Sequence, residues 1–182
     1  MGSQAMQTYF SYANTVGKGV VENNRLMKHN FNFRETANFL NNKLTIDANI
    51  NGMYQRGNNR VTSGGYYMNP LVGLYHFPRG GVEGGKDFYY YKENYQVLNP
   101  SRNMMDQAWY QNASVGAGDF EQNPYWLINK APNEDTRYRA MFNLSVKYQF
   151  NKLFSLQARG SADFINDKNE THMYAGTSSI LA

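Results

Sequence analysis

A chain of 182 residues is long enough for one domain with its own core, and its 15 Tyr, 11 Phe and 16 Gly favour strands and turns over helices. The net charge of +4 is spread along the chain. No basic stripe tracks phosphates, which argues against nucleic acid as a partner. The absence of cysteine excludes disulfides, thiolate metal sites and a Cys nucleophile.

The opening "QTYFSYAN" reads as a first strand of undetermined phase. In "MKHNFNFRETANF", Met27, His29, Phe31, Phe33, Ala37 and Phe39 share one face, with Glu35 as the polar exception. Lys28, Asn30, Asn32, Arg34, Thr36 and Asn38 share the other. In "KLTIDANINGMY", Leu44, Ile46, Ala48, Ile50 and Tyr54 oppose Thr45, Asp47, Asn49 and Asn51. In "YRAMFNLSVKYQF", Tyr138, Ala140, Phe142, Leu144, Val146, Tyr148 and Phe150 oppose Arg139, Asn143, Ser145, Lys147 and Gln149, with Met141 among the polar set. In "FSLQARGSADF", Phe154, Leu156, Ala158, Ala162 and Phe164 oppose Ser155, Gln157, Arg159, Ser161 and Asp163. Strict alternation is the pattern of an extended chain with one apolar and one wet face.

The connections are unequal. "LNNK" (40–43) and "NKL" (151–153) are Asn-rich tight turns suited to hairpins. "TVGKGVVENNR" (15–25) is longer, and residues 58–136 form an insert too long to be a structureless loop. Within the insert, Asn99 as N-cap and Pro100 at the first helical position predict a short helix over "SRNMMDQAWY". "NPYW" reads as structural, with Pro124 fixing a turn and Trp126 buried.

Short turns at one end and long loops at the other match outer-membrane barrels, whose tilted strands cross an apolar band about 25 Å tall. Aromatics at the stripe ends (Phe39 and Tyr54, Tyr138 and Phe150, Phe154 and Phe164) would supply interfacial girdles. No run is long and apolar enough for a membrane helix. Alternation alone fits equally a soluble antiparallel sheet with one face on a core and one in water.

"GGYYMNPLVGLYHFPRG", "NYQVLNPSRNMMDQAWY" and "NPYWLINKAPNEDTRYRAMFNLSVKYQF", taken in order, resemble the barrel region of SusC/RagA-type TonB-linked outer-membrane receptors of Bacteroidetes. The upstream "SYANTVGKGVVENNRLMKHNFNFRETANFLNNKLTIDANING" also fits, so the resemblance runs from about Gln7 through nearly the whole chain. It implies a large barrel with an N-terminal plug that imports glycans or peptides with energy from the TonB complex, under a SusD-like lipoprotein lid. The chain departs from the family by lacking a signal peptide, a TonB-contacting box and a plug, and about five strands cannot close such a barrel. The expectation is therefore an all-β arc of a transmembrane β-barrel: antiparallel strands with one long extracellular loop, cut from a longer protein of the cell outer membrane.

The expected division makes residues 1–6 a vector remnant and 7–57 three barrel strands. Residues 58–136 form the extracellular loop, 137–167 two further strands, and 168–182 the start of the next loop. The rival expectation is a soluble or surface-exposed β-rich binding module or adhesin without transport activity.

Asp47, Asn49, Asn51, Arg139, Lys147, Arg159 and Asp163, with Gln157, would face the lumen, where they line the transport path or contact the plug. In the insert, Tyr89, Tyr90, Tyr91, Tyr95, Trp109 and Tyr110, with Phe88, Tyr125 and Trp126, are the binding candidates. Aromatic faces stack on sugar rings and anchor protein interfaces, while packing of the loop itself is the competing use. His29, His76 and His172 lack metal-ligand spacing, and Glu134 with Asp135 reads as a solvated pair. "GGVEGG" (80–85) has no following phosphate-binding Lys-Ser/Thr and reads as a flexible loop tip. No catalytic constellation is legible, so neither an enzyme nor a cofactor is expected.

Overall fold

A computed structural model describes residues 5–61, 68–110 and 122–177. The chain is mostly antiparallel β-sheet. The long strands are β1 (Met6–Lys18), β2 (Arg25–Phe39) and β3 (Leu44–Asn58), then, after the insert, β6 (Asn133–Gln149) and β7 (Ser155–Thr171). They form one sheet in the order β1-β2-β3-β6-β7, so every long strand pairs with its sequence neighbour once the insert is passed over.

Hydrogen bonds at the strand ends fix the register. Asn38 N donates to Ala5 O (2.7 Å) at one end of the β1–β2 pair, and Gly19 N donates to Asn24 O (3.0 Å) at the other. Asn59 N to Asn133 O (2.8 Å) and Gln149 N to Lys43 O (2.7 Å) do the same for β3–β6. Phe150 N to Phe154 O (3.1 Å) and His172 N to Pro132 O (3.0 Å) do so for β6–β7. In each of these pairs the two ends share one register; for β2–β3, Lys43 N donates to Leu40 O (3.2 Å), and Thr45 Oγ1–Asn38 Oδ1 (2.8 Å) and Thr36 Oγ1–Asp47 Oδ2 (2.9 Å) meet across the strands in step with it, so the alternation read from sequence carries across all five strands. Phe10, Phe33, Ile50, Phe142 and Phe164 fall on one face, and Gln7, Arg34, Asp47, Ser145 and Arg159 on the other.

The turns follow from their asparagines. Leu40, Asn41 and Asn42 take φ of 55, 55 and 65°, a left-handed run that Asn tolerates and Leu does not favour. Asn151 Oδ1 accepts from Leu153 N (2.8 Å) and Phe154 N (2.9 Å), closing the β6–β7 turn.

Two compact units divide the chain. The first holds 1–17, 26–57 and 135–169, the second 18–25, 58–134 and 170–182. The second unit thus combines the insert with the β1–β2 connection and the C-terminal segment. It contains α1 (Pro70–His76), α2 (Phe88–Glu93), the hairpin β4 (Gln96–Asn99) and β5 (Met104–Gln107), and α3 (Pro124–Lys130).

Each helix has a polar cap. Asn69 Oδ1 accepts from Leu71 N (3.0 Å), Asp87 Oδ1 from Tyr90 N (2.8 Å) and Asn123 Oδ1 from Tyr125 N (2.8 Å). Pro70 and Pro124 follow two of these caps, where a missing N–H costs nothing. Helices of six or seven residues are marginal alone and depend on what they pack against. Gly73 permits a close approach of α1 to the start of α3: a Cβ there would stand 2.7 Å from Gln122 O and 3.2 Å from Pro124 Cδ.

The helix expected after Asn99 is a correction. Asn99 Oδ1 accepts from Ser101 N (3.1 Å) and Arg102 N (3.3 Å), as a cap would, but Asn103 turns left-handed at φ 48° and the chain returns as β5. Gln96–Asn99 then pairs antiparallel with Met104–Gln107. "GGVEGG" is a loop tip closed by hydrogen bonds, with Val82 bridged to Lys86 and Gly85 N on Val82 O (3.1 Å).

Among the described residues the buried apolar core is formed by Tyr91, Trp109, Trp126, Leu127, Ile128 and Ala131, with Pro70 and Pro124, all in the second unit. No residue of the five long strands is buried. Leu144 is 51% and Phe164 64% exposed, although both sit on the apolar face. Among the described residues no helix is long and apolar enough to cross a membrane, which says nothing about crossing by strands.

Candidate functional site

The polar face of the sheet gathers the sequence-predicted lumenal residues into paired groups. Arg34 grips Asp47 with Nε (3.1 Å) and Nη2 (2.7 Å) on Oδ2, and Thr36 Oγ1 adds a third donor (2.9 Å). Thr36 on β2 thus meets Asp47 on β3, and Arg34 reaches in from two residues along β2. Arg139 holds Asp163 at 2.9 and 2.6 Å. Arg137 holds Asp167 at 2.6 and 2.7 Å. In the Arg139 and Arg137 pairs the flat guanidinium matches two carboxylate oxygens, so these contacts are directional as well as charged. With side chains this exposed, the pairs are screened by solvent and add little to stability, so their effect is mainly to neutralise the face.

Asp47 and Asn49 line a recess of about 710 Å³ together with Gln7, Tyr9, Asn32 and Arg34. Asn51, Lys147 and Arg159 share the polar face but lie outside that recess. The Gln157 amide, turned with its oxygen toward the donors, takes Ser145 Oγ at 2.8 Å and Arg159 Nε at 3.0 Å. Sequence reading missed Tyr9, because the phase of β1 could not be set before its pairing with β2 was known.

The apolar face carries its own ordered rows. Tyr12, His29, Tyr54 and Tyr138 cross four strands, with ring centroids 6.0 Å apart for Tyr12–His29 and His29–Tyr54, and 5.0 Å for Tyr54–Tyr138. Tyr12 Oη and His29 Nδ1 are 2.7 Å apart. Toward the short turns, Tyr148 packs on Phe150 at 4.8 Å. About ten residues separate His29 from Phe39 and Tyr138 from Tyr148, which at ~3.4 Å per residue and a ~40° tilt spans roughly 26 Å. Glu35 is the exception on this face, and Thr8 Oγ1 donates to its Oε2 at 2.6 Å.

In the second unit the aromatic candidates separate by burial. Tyr91 and Trp109 are buried and pack with Phe77, at centroid distances of 5.9 and 5.5 Å. Tyr110 stacks edge-on to Phe77 at 5.2 Å, and Phe88 joins Trp109 at 6.2 Å. Tyr95 is half-buried, and its carbonyl accepts from Ala108 N (2.9 Å). Tyr90 lies under Lys86 Nζ at 4.8 Å, while Tyr89 is 71% exposed. The cluster is thus the core of its unit, with Tyr89 and Tyr90 at its outer side.

Asn123, fully buried, ties this core to the backbone. Its Nδ2 donates to Tyr91 O (3.0 Å) and Ala108 O (2.7 Å), and its N–H meets Gln107 Oε1 (3.2 Å). Trp126 is 1% exposed and donates Nε1–H to Thr177 Oγ1 (3.0 Å). Burial pushes the Tyr91 phenol up from its ordinary value. The hydrogen bond that Lys92 Nζ donates to Glu22 Oε1 (2.6 Å) holds the Lys92 ammonium above the usual lysine range.

Among the described residues no group of three or more His, Asp or Glu side chains is placed to hold a metal ion. No protein-family model matches the chain, and no curated protein matches it.

Proposed function

We propose that the chain is an arc of a TonB-dependent outer-membrane importer of the SusC/RagA type, carrying glycans or peptides together with a SusD-like surface lipoprotein. The observation that carries the reading is the uncovered five-stranded sheet: a continuous apolar face with no core against it, bounded by aromatic rows, opposite a charge-paired polar face. In water this face is costly. Roughly ten large side chains on it, each left about half exposed, forgo on the order of 10 kcal/mol of burial. Hydrocarbon removes that cost, and the wet face with its Arg–Asp pairs then borders a lumen. The unequal ends fit the same reading, with short turns on the periplasmic side and the second unit outside. The TonB complex acts through parts of the receptor beyond this chain, and lipid is the partner of the apolar face.

The self-contained core of the second unit favours a second reading, a surface-exposed binding module without transport. Single nitroxide labels separate the two. In the full-length protein reconstituted in bilayers, labels at Ile50 and Leu144 should be relaxed by oxygen, and labels at Thr45 and Asn143 by a water-soluble nickel chelate. Equal access of the nickel chelate to all four positions would reject the barrel arc and leave the binding module.

A further inference from the structure

We propose that the recess on the polar face of β1–β3 is a subsite for a neutral sugar, an inference that rests on the importer reading above. Its volume of about 710 Å³ lies in the range of small-ligand sites. Its lining decides the chemistry. Arg34 and Asp47 are the charged residues in the wall, and they close on one another through three hydrogen bonds, with Thr36 as a further donor. The recess therefore offers no unbalanced charge to a carboxylate, an ammonium or a phosphate.

What remains is hydrogen-bonding capacity of both senses. Gln7, Asn32 and Asn49 bring amides, each donor and acceptor at once, which is what a hydroxyl requires. The Asn49 oxygen is buried and has no donor among the described residues. A buried acceptor without a donor is costly, and an O–H brought by a ligand satisfies it after a small rotation of the amide. Tyr9, 58% exposed, stands on the edge strand in the wall of the same recess. Its ring offers an apolar plane to the C–H face of a pyranose or furanose while the amides take the hydroxyls. A transported peptide brings side chains of either sign, and this wall holds no free charge to sort them.

The test uses the full-length protein containing this chain, purified in detergent and titrated calorimetrically. The probes are neutral oligosaccharides of glucose, mannose and fructose, and a pool of uncharged peptides. At least one oligosaccharide class should bind. Tyr9→Ala and Asn49→Ala should each weaken that binding about tenfold, while Tyr9→Phe, which keeps the ring, stays near the parent value. Ser11→Ala, on the same face outside the recess, should leave affinity unchanged. Heat-modifiable mobility reports assembly, and Tyr9→Leu and Asn49→Ser replace any variant that fails to assemble. Sugar binding unaffected by the double substitution overturns the subsite and leaves the importer reading standing. Binding of peptides but no sugar also overturns the subsite alone. Neither binding nor cellular uptake of either class overturns both.

Discussion

A charge placed on the apolar face should be penalised according to its depth between the two aromatic rows. Leu144 lies well inside the band, about six residues from Tyr138 and four from Tyr148, and its cross-strand neighbour on β7 is Gly160, which offers no side chain to shelter a guanidinium. Leu156 shares the apolar face but sits level with Tyr148, at the edge of the band. An Arg at the bilayer midplane of a β-barrel costs ~2–4 kcal/mol and near the interface ~0–1 kcal/mol. At ~1.4 kcal/mol per tenfold, Leu144→Arg should shift the folding equilibrium roughly 30- to 700-fold and Leu156→Arg less than about tenfold. Ser145→Arg, one residue along β6 and on the wet face, exchanges a hydrogen bond with Gln157 for a hydrated charge and should be tolerated. The assay is denaturant unfolding of the full-length protein in bilayers, read by heat-modifiable mobility. Equal losses at Leu144 and Leu156, or a larger loss at Ser145 than at Leu144, would refute the assignment of the faces.

Three further outcomes are expected. The isolated chain in plain buffer should self-associate through its apolar face or require detergent; a monodisperse monomer by light scattering would contradict a lipid-facing surface. Trp126→Ala should destabilise the second unit by ~3–5 kcal/mol through the cavity it leaves and the lost bond to Thr177, seen as faster proteolysis within the insert; unchanged protection would show that Trp126 is not a core residue. Tyr89→Ala should weaken retention of the surface lipoprotein while leaving the insert protease-resistant, whereas Tyr91→Ala should lose both. Identical behaviour of the two would mean that exposure does not distinguish contact from packing.

The long strands were legible because their signal is local: side chains alternate with a period of two, and five segments keep that period over their length. The insert was less legible because its signals are shared between structures. Three Asn-Pro pairs occur, and the same chemistry yields a helix after Asn69 and Asn123 but a hairpin turn after Asn99. What separates them is downstream. "LVGLYH" and "YWLINK" place apolar side chains on a helical face that meets a core, while "SRNMMD" reaches Asn103 in the left-handed region and then returns along β4. A cap satisfies donors in either case and does not choose between them. The recess was illegible for another reason. Tyr9, Asn32 and Asn49 come from three strands, and only the register places them on one wall.

The distribution of burial separates what each unit needs in order to fold. The second unit satisfies its own requirements: Trp126, Trp109 and Tyr91 supply apolar burial, and Asn123 meets four backbone or side-chain partners with no exposure at all. Its helices are too short to persist alone, so their order comes from this core. The sheet has the converse character. Its backbone register is regular, its Arg34–Asp47, Arg139–Asp163 and Arg137–Asp167 pairs bridge neighbouring strands, and yet no residue of its strands is buried as a whole. Hydrogen bonds alone contribute only ~1 kcal/mol each against the backbone entropy they fix, about 1–2 kcal/mol per residue. A sheet of five strands therefore cannot be stable on its ladder alone and must obtain the missing stabilisation from whatever covers its apolar face. The edges impose a second requirement, because β1 and β7 are the outer strands of the sheet, and an edge strand presents a row of N–H and C=O groups to whatever lies beside it. Lipid meets the first requirement but not the second, since hydrocarbon offers those groups no partner. Further strands on both edges meet the second, which is why the membrane reading demands a closed barrel of which this chain is only an arc.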